Sequence, residues 1–445
     1  MARTLITDAF VLTMDDDLGT LPRADVLIDG ARIAAVGPDL PREADVELVD
    51  GRDRIVMPGF VDTHRHMWAA MLRGCACYGD LGTYFHDVVF TYGANFTPDD
   101  TYTSIRFGLA EAVDSGITTM HAWEHNLQTP AHADAALQAM AESGMRGRFS
   151  YGPSSDPEAG SSFAQGTETI DFDDVLRVRG ERFEGSSDGL LHLGIACRGV
   201  EYSQPEIWQR EFAFAREHGL PITVHTMMTA HDVERARAIS IYREHEALGP
   251  DVLLVHAIHT DDSERRYLAE TRTPVSLSIL SELRTGMGIP PIVEMMQAGV
   301  PLCLSVDTMA ASDNSDFFAV LRATLCVPRG QHENATIYQP DQVLRHGTLD
   351  GARAMGLGEV TGSLTPGKRA DVIVLRGGDL NLAPLNVPDG QVVLAAQPRN
   401  VEHVWIDGVA RKRDGELVDL DPDRLVADAQ AAVAGLSERL GRALT

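Results

Sequence analysis

The chain predicts a (β/α)8 barrel with a small discontinuous β-sandwich domain built from both chain ends, and three observations carry that prediction. Between about residues 56 and 359, apolar β-type runs alternate with helix-like stretches, the pattern of a parallel sheet wrapped by helices. Four of those runs end in a residue type that binds metal: the run from Ile55 into Thr63-His-Arg-His66, Pro221-Ile-Thr-Val-His225, Val252-Leu-Leu-Val-His256 and Pro301-Leu-Cys-Leu-Ser-Val-Asp307. A parallel barrel gathers ligands from distant sequence at its upper face in this way. Both chain ends read instead as short strands between Gly, Pro and Asp turns, and 445 residues suit a barrel with a small domain added.

Residues 1–55 include Val26-Leu-Ile-Asp-Gly30 and Ile33-Ala-Ala-Val-Gly37. They predict strands that pair with a second strand-rich stretch at 360–418, exemplified by Val401-Glu-His-Val-Trp-Ile-Asp-Gly-Val409. The barrel then occupies 56–359, and 419–445 forms a C-terminal helix. In the first barrel strand, side chains alternate with period two, so His64 and His66 point to one side and make half of a divalent-metal site. Residues 80–96 carry Tyr84, Phe85, His86, Phe90, Tyr92 and Phe96, which form either a pocket wall or a subunit contact.

The second strand, Ile117-Thr-Thr-Met-His-Ala-Trp123, continues into Glu124-His125. Alternation sends His121, Trp123 and His125 one way and Glu124 the other. His125 or Glu124 at the strand end can reach substrate, Trp123 stands beside them as packing or as a flat wall, and His121 reads as a core histidine. Strands three and four are Gly147–Tyr151 and Leu190–Ala196, and the Ser-, Gly- and acid-rich stretch 154–188 between them predicts a long loop over the upper face. The seventh strand is Thr273–Ser278. From Asp423 to Leu444, Leu425, Val426, Ala429, Ala432, Val433, Leu436 and Leu440 fall at amphipathic spacing, for docking on the barrel or on a neighbouring subunit.

A formal charge of −27 and a pI near 4.9 oppose binding to nucleic acid or anionic membranes, which requires a basic surface; the acidity serves solubility. The first ten residues lack the apolar core of a signal peptide, and no later run approaches membrane-spanning length. Five cysteines without a Cys-x-x-Cys read as reduced thiols, and with the rest they place the protein in the cytoplasm. Cys75-Ala-Cys77 could ligate a soft metal but reads as packing.

Together these segments resemble the amidohydrolase superfamily, in the branch that holds cytosine, guanine and S-adenosylhomocysteine deaminases and the triazine chlorohydrolases. The resemblance runs from the N-terminal strands to Gly362-Ser-Leu-Thr-Pro-Gly-Lys-Arg-Ala-Asp-Val-Ile-Val-Leu375. It implies one divalent metal, zinc before iron(II), held by His64, His66, His225 and Asp307, with His256 as a hydrogen-bonding partner of the bound water or an extra ligand. Such a metal makes hydroxide available near neutral pH for attack on an electrophilic carbon. Binuclear relatives bridge two metals with a strand-four lysine, yet the only lysines here are Lys368 and Lys412. A mononuclear centre follows, unless a Glu or Cys197 bridges instead.

Two departures bear on the reaction. The branch carries His-x-x-Glu on strand five, where the Glu shuttles protons; here His225-Thr-Met-Met228 puts a methionine there. The strand-seven Ser-Asn-Leu becomes Ser281-Glu282-Leu283, so Glu282 is a candidate acid/base, a candidate anchor for an amino or amidine-like substrate, or a partner of Arg284. With Glu lost and Asp kept, Asp307 and His256 become the pair that activates water. The expected function is hydrolysis of a heteroaromatic or amidine-like C–N bond in a planar nitrogen-containing small molecule. Dechlorination or another C–X hydrolysis or lyase step is the alternative, a non-catalytic scaffold is a third, and a homo-oligomer (dimer or tetramer) is the expected assembly.

Overall fold

The computed structural model describes residues 3–153, 166–183 and 189–444. Of the loop expected to overhang the upper face, residues 154–165 and 184–188 lie outside the described residues, and between them Phe172–Val178 is helical rather than loop. Strands Phe60–Arg65, Ile117–Glu124, Arg146–Tyr151, Leu191–Cys197, Ile222–Thr226, Val252–His256, Val275–Leu277 and Leu302–Leu304 form one eight-stranded sheet, hydrogen-bonded in sequence order. Parallel neighbours need crossovers, and helices such as Pro98–Asp114, Pro130–Ser143 and Pro205–Glu217 supply them. The second and third of these helices start with proline in the first turn, where its missing N–H costs nothing, and Pro130–Ser143 ends at Gly144 in the left-handed conformation, φ 64°.

The sheet closes to a barrel where its last strand meets its first. The Asp307 amide donates to the His64 carbonyl and the His66 amide to the Asp307 carbonyl, each at 3.0 Å. Closure therefore falls on three of the expected ligands.

The chain ends pair as expected, in one continuous mixed sheet of nine strands. Strands Arg3–Leu12, Thr20–Asp29, Arg32–Gly37, Glu47–Asp50 and Arg54–Pro58 come from the N-terminus. Val372–Arg376, Val401–Ile406, Val409–Arg413 and Glu416–Leu417 come from the C-terminus. The seam is antiparallel, with Val56 opposite Val374 and Met57 opposite Ile373. Ile6, Val26, Ile28, Val56, Val374 and Trp405 bury its apolar face.

By compactness the chain divides into residues 1–63, 110–120 and 316–421 on one side and 64–109, 121–315 and 422–445 on the other. All residues discussed below for the site belong to the second unit. Its satellite core forms where the C-terminal helix Pro422–Leu440 lays Ala429 and Leu436 against Trp68, Leu72, Val88, Tyr92 and Phe96. Of the two docking modes expected for this helix, packing within its own unit is the one observed. The aromatic stretch becomes a nine-residue π-helical segment, Tyr84–Tyr92, whose wider turn ends with the Gly93 amide on the Val88 carbonyl. No helix among the described residues is long and apolar enough to cross a membrane, and all five cysteines are free.

Leu436 is fully buried in this satellite core. Leu436→Ala is expected to cost about 2–5 kcal/mol, the range for truncating a buried leucine. Urea unfolding followed by tryptophan fluorescence measures it, and a loss under about 1 kcal/mol would mean that the helix contributes little to the unit.

Candidate metal centre

The first barrel strand delivers His64 and His66 to the same side, their ring centroids 4.7 Å apart. His66 Nδ1–H donates to the Trp123 carbonyl at 2.9 Å; a carbonyl only accepts, so the proton sits on Nδ1 and the Nε2 lone pair faces inward. That Nε2 lies 3.3 Å from His225 Nε2, which is 3.2 Å from His64 Nε2. The Asp307 carboxylate lies 3.3 Å from His64 Nε2 and 3.5 Å from His66 Nε2. Three imidazole nitrogens and an acid converge where shared protons cannot satisfy all their lone pairs. A divalent cation can, and three nitrogens with one oxygen suit zinc. His256 joins His64 and Asp307 in an overlapping cluster of donor atoms.

Backbone geometry brings His256 in. Register pairs His225 with Val255 and Thr226 with His256, so alternation alone would set the two imidazoles on opposite faces. His256 and Ala257 instead adopt φ of 72° and 50°, and the His256 ring stands 5.6 Å from that of His225. Asp307 also takes φ 72°, held there by the two closing hydrogen bonds. Left-handed conformations outside glycine cost about 1–3 kcal/mol each and persist only where the surroundings impose them.

A polar layer fixes the cluster from behind. Glu282 Oε1 accepts from His256 Nδ1 at 3.0 Å and from the Ser278 amide at 2.8 Å, and Ser281 Oγ donates to Asp307 Oδ2 at 2.6 Å. Ser281 and Glu282 sit in a short helix, Ile279–Arg284, that follows the seventh strand. Glu282 is fully buried and absent from the pocket wall, so it meets His256 rather than a ligand or the surface arginine considered from sequence.

Burial drives the pKa values of His64, His66 and His225 down and so favours neutral ligands. Burial works against ionised Asp307, but hydrogen bonding to His64 and the nearby His256 imidazolium win and hold its carboxyl below the usual range. These are the protonation states that metal binding requires. For His256, burial is outweighed by the Glu282 hydrogen bond and the Asp307 charge, which hold its imidazolium above the ordinary range. Cys197 is buried and its thiol is pushed well up, which disfavours the thiolate a bridging ligand needs.

A pocket opens on this cluster. His66, His225, His256 and Asp307 face it, Trp123, His125 and Met228 form part of the wall, and Leu81, Tyr84 and Phe85 cover another part. Thr285, Met287, Thr308 and Ala311 complete it; no local pattern marked them, because they follow the seventh and eighth strands on short helices and turns. Glu124 is fully buried away from the cavity, and His121 hydrogen-bonds Ser150 Oγ at 2.6 Å as a core histidine.

Residues 55–411 match the amidohydrolase family. The 5'-deoxyadenosine deaminase of Methanosarcina barkeri is 26% identical over 446 residues, covering 99% of this chain and 100% of its own. Among solved structures, an adenosine deaminase from Xanthomonas campestris with bound zinc superposes with a TM-score of 0.86 at 23% identity, over 98% of this chain and 99% of the other. The zinc complex of atrazine chlorohydrolase from Arthrobacter aurescens TC1 gives 0.86 at 22% identity, over 96% and 99%. At these identities the two structures establish the fold.

Glu124 supplies a test of this buried polar layer. Burial pushes its carboxyl up to about 8 from an ordinary 4.5. Between those values the folded chain binds a proton that the unfolded chain lacks, so this group's contribution is full below about pH 4.5 and is lost as pH rises toward 8. Glu124→Gln is expected to remove that slope, gaining on the parent by up to roughly 1.4 kcal/mol per pH unit across the window. Urea unfolding at pH 5, 6.5 and 8 checks it; parallel pH profiles would show that Glu124 ionises normally.

Proposed function

The chain belongs to the amidohydrolase family, and from that premise we propose that it is a mononuclear metal-dependent hydrolase cleaving a C–N bond of a planar, nitrogen-containing heteroaromatic or amidine-like molecule. The observation that carries the reading is the convergence of His64, His66, His225 and Asp307, with His256 beside them, on one buried pocket. Zinc held by the first four residues would lower the pKa of water toward neutrality and so supply the nucleophile.

The protein's own groups then bind, orient and move protons. His66 is oriented by the Trp123 carbonyl and Asp307 by Ser281. Asp307 and His256 take the proton from water, and His256 Nε2, with Nδ1 held by Glu282, returns one to the departing nitrogen. Glu282 is therefore a positioning residue that acts through His256. Trp123 and Phe85 offer flat walls to a planar ring. The relatives named deaminases support ammonia as the leaving group.

One feature favours a second reading. Met228 lines the pocket and carries no proton, which suits a leaving group that departs as an anion, such as chloride. Incubating zinc-loaded protein with aminopurines, aminotriazines and chlorotriazines, with separate assays for ammonia and chloride, decides between the two. Release of neither from any member would sink the proposal. The free cysteines support a reducing compartment, the cytoplasm.

One metal per chain is expected after loading and dialysis, and His225→Ala or Asp307→Ala should lose both metal and turnover. Two dialysis-resistant equivalents would refute the mononuclear assignment. Glu282→Gln should keep the metal while kcat falls about a hundredfold, the scale for a positioned acid/base group. Parent-like kcat and KM in that variant would make the carboxylate purely structural.

A further inference from the structure

Two donors on the pocket wall have no acceptor among the described residues: Tyr84 Oη and Trp123 Nε1. Tyr84, from the π-helical segment, is 4% exposed, and its hydroxyl stands on the Asp307–Thr308 side of the cavity. The Thr308 side chain lies near Oη but forms no full hydrogen bond with it. Burial raises the phenol's pKa, so it keeps its proton. A buried donor without an acceptor is a cost that a ligand recovers by supplying one.

The neighbouring wall explains why this donor matters. Addition of a nucleophile to a C=N bond pushes the π pair onto nitrogen, and that charge needs a donor in a dry pocket. Met228 offers no N–H or O–H, and the Thr285 hydroxyl is spent on the Ser281 carbonyl at 2.7 Å. We propose, resting on the hydrolase reading above, that Tyr84 Oη–H donates a hydrogen bond to the ring nitrogen of the bound substrate and supplies the polar contact that Met228 cannot. The oxygen pair of water forms the new C–O bond, the π pair moves to nitrogen, and Tyr84 keeps its proton throughout.

The test is Tyr84→Phe in the zinc-free full chain, titrated calorimetrically with benzimidazole and with indole, a ring of the same shape without the acceptor nitrogen. The variant should bind benzimidazole about tenfold more weakly than the parent, the scale of one hydrogen bond, while indole affinity is unchanged. A zinc–nitrogen bond would occupy the one acceptor nitrogen of benzimidazole, so the comparison is read on zinc-free protein, where the difference between proteins isolates the hydroxyl. Equal weakening for both probes, unchanged benzimidazole affinity, or no benzimidazole binding by the parent overturns the assignment. So does a Trp123→Phe variant that shows the selective loss when Tyr84→Phe does not.

In turnover, Tyr84→Phe should lower kcat about 10²–10³-fold on whichever aminoheterocycle releases ammonia, with metal content and pH profile unchanged. A parent that turns over nothing sinks the hydrolase reading alone, because the benzimidazole–indole comparison still decides the role of Tyr84.

Discussion

Two backbone hydrogen bonds hold the site together. The Asp307 amide reaches the His64 carbonyl and the His66 amide reaches the Asp307 carbonyl, closing the barrel between its first and last strands. The same two bonds flank Asp307 at φ 72°. Three of the four proposed ligands thus sit on the seam, and the fourth, His225, stands 3.2 Å from His64. Closure and ligand convergence are one event, so a loosening of the seam would separate the donors before it exposed the core.

Around that seam the protein uses polar groups sparingly, each aimed at the back of a site residue. The Trp123 carbonyl sets the His66 tautomer, Glu282 holds His256 by Nδ1, and Ser281 steadies Asp307. In a buried site such bonds are strong because little water competes for them. Glu282 Oε2 has no partner among the described residues, a cost borne beside the bond from Oε1 to His256.

The sequence disclosed the strands and their ends well, because both signals are local. Apolar runs such as Val252-Leu-Leu-Val predict strands, and a His or Asp at the tip marks the face. The pairing of the chain ends was legible as well, since both carry the same strand-and-turn texture around a βα core. What failed to show were the departures from regular geometry. Period-two alternation would turn His256 away from His225, and only the positive φ at His256 and Ala257 reverses it. Ser281-Glu282 reads as the continuation of a strand yet lies in a helix, which turns Glu282 beneath His256 instead of into the pocket. Nor does composition single out Tyr84 from Phe90 or Tyr92, because the π-helical turn decides which ring faces the cavity.

The exchange at residue 228 changes the electrostatics of the cavity as well as its proton inventory. Met228 packs with Tyr202, Ile258 and Met287, and Leu81 and Phe85 lean on that cluster, so this wall is apolar and excludes water. A carboxylate there would add a second negative charge near Asp307 and would need hydration or a proton to be tolerated. With methionine, Asp307 is the one anionic side chain on the wall among the described residues, and its charge is answered by the histidines around it. Field strength in such a site depends on the few dipoles left, because the low dielectric screens them little. With methionine at residue 228, His256, whose imidazolium is stabilised by Glu282 and Asp307, is left as the proton carrier of the proposed reaction, and the apolar wall beside it suits the flat face of a ring.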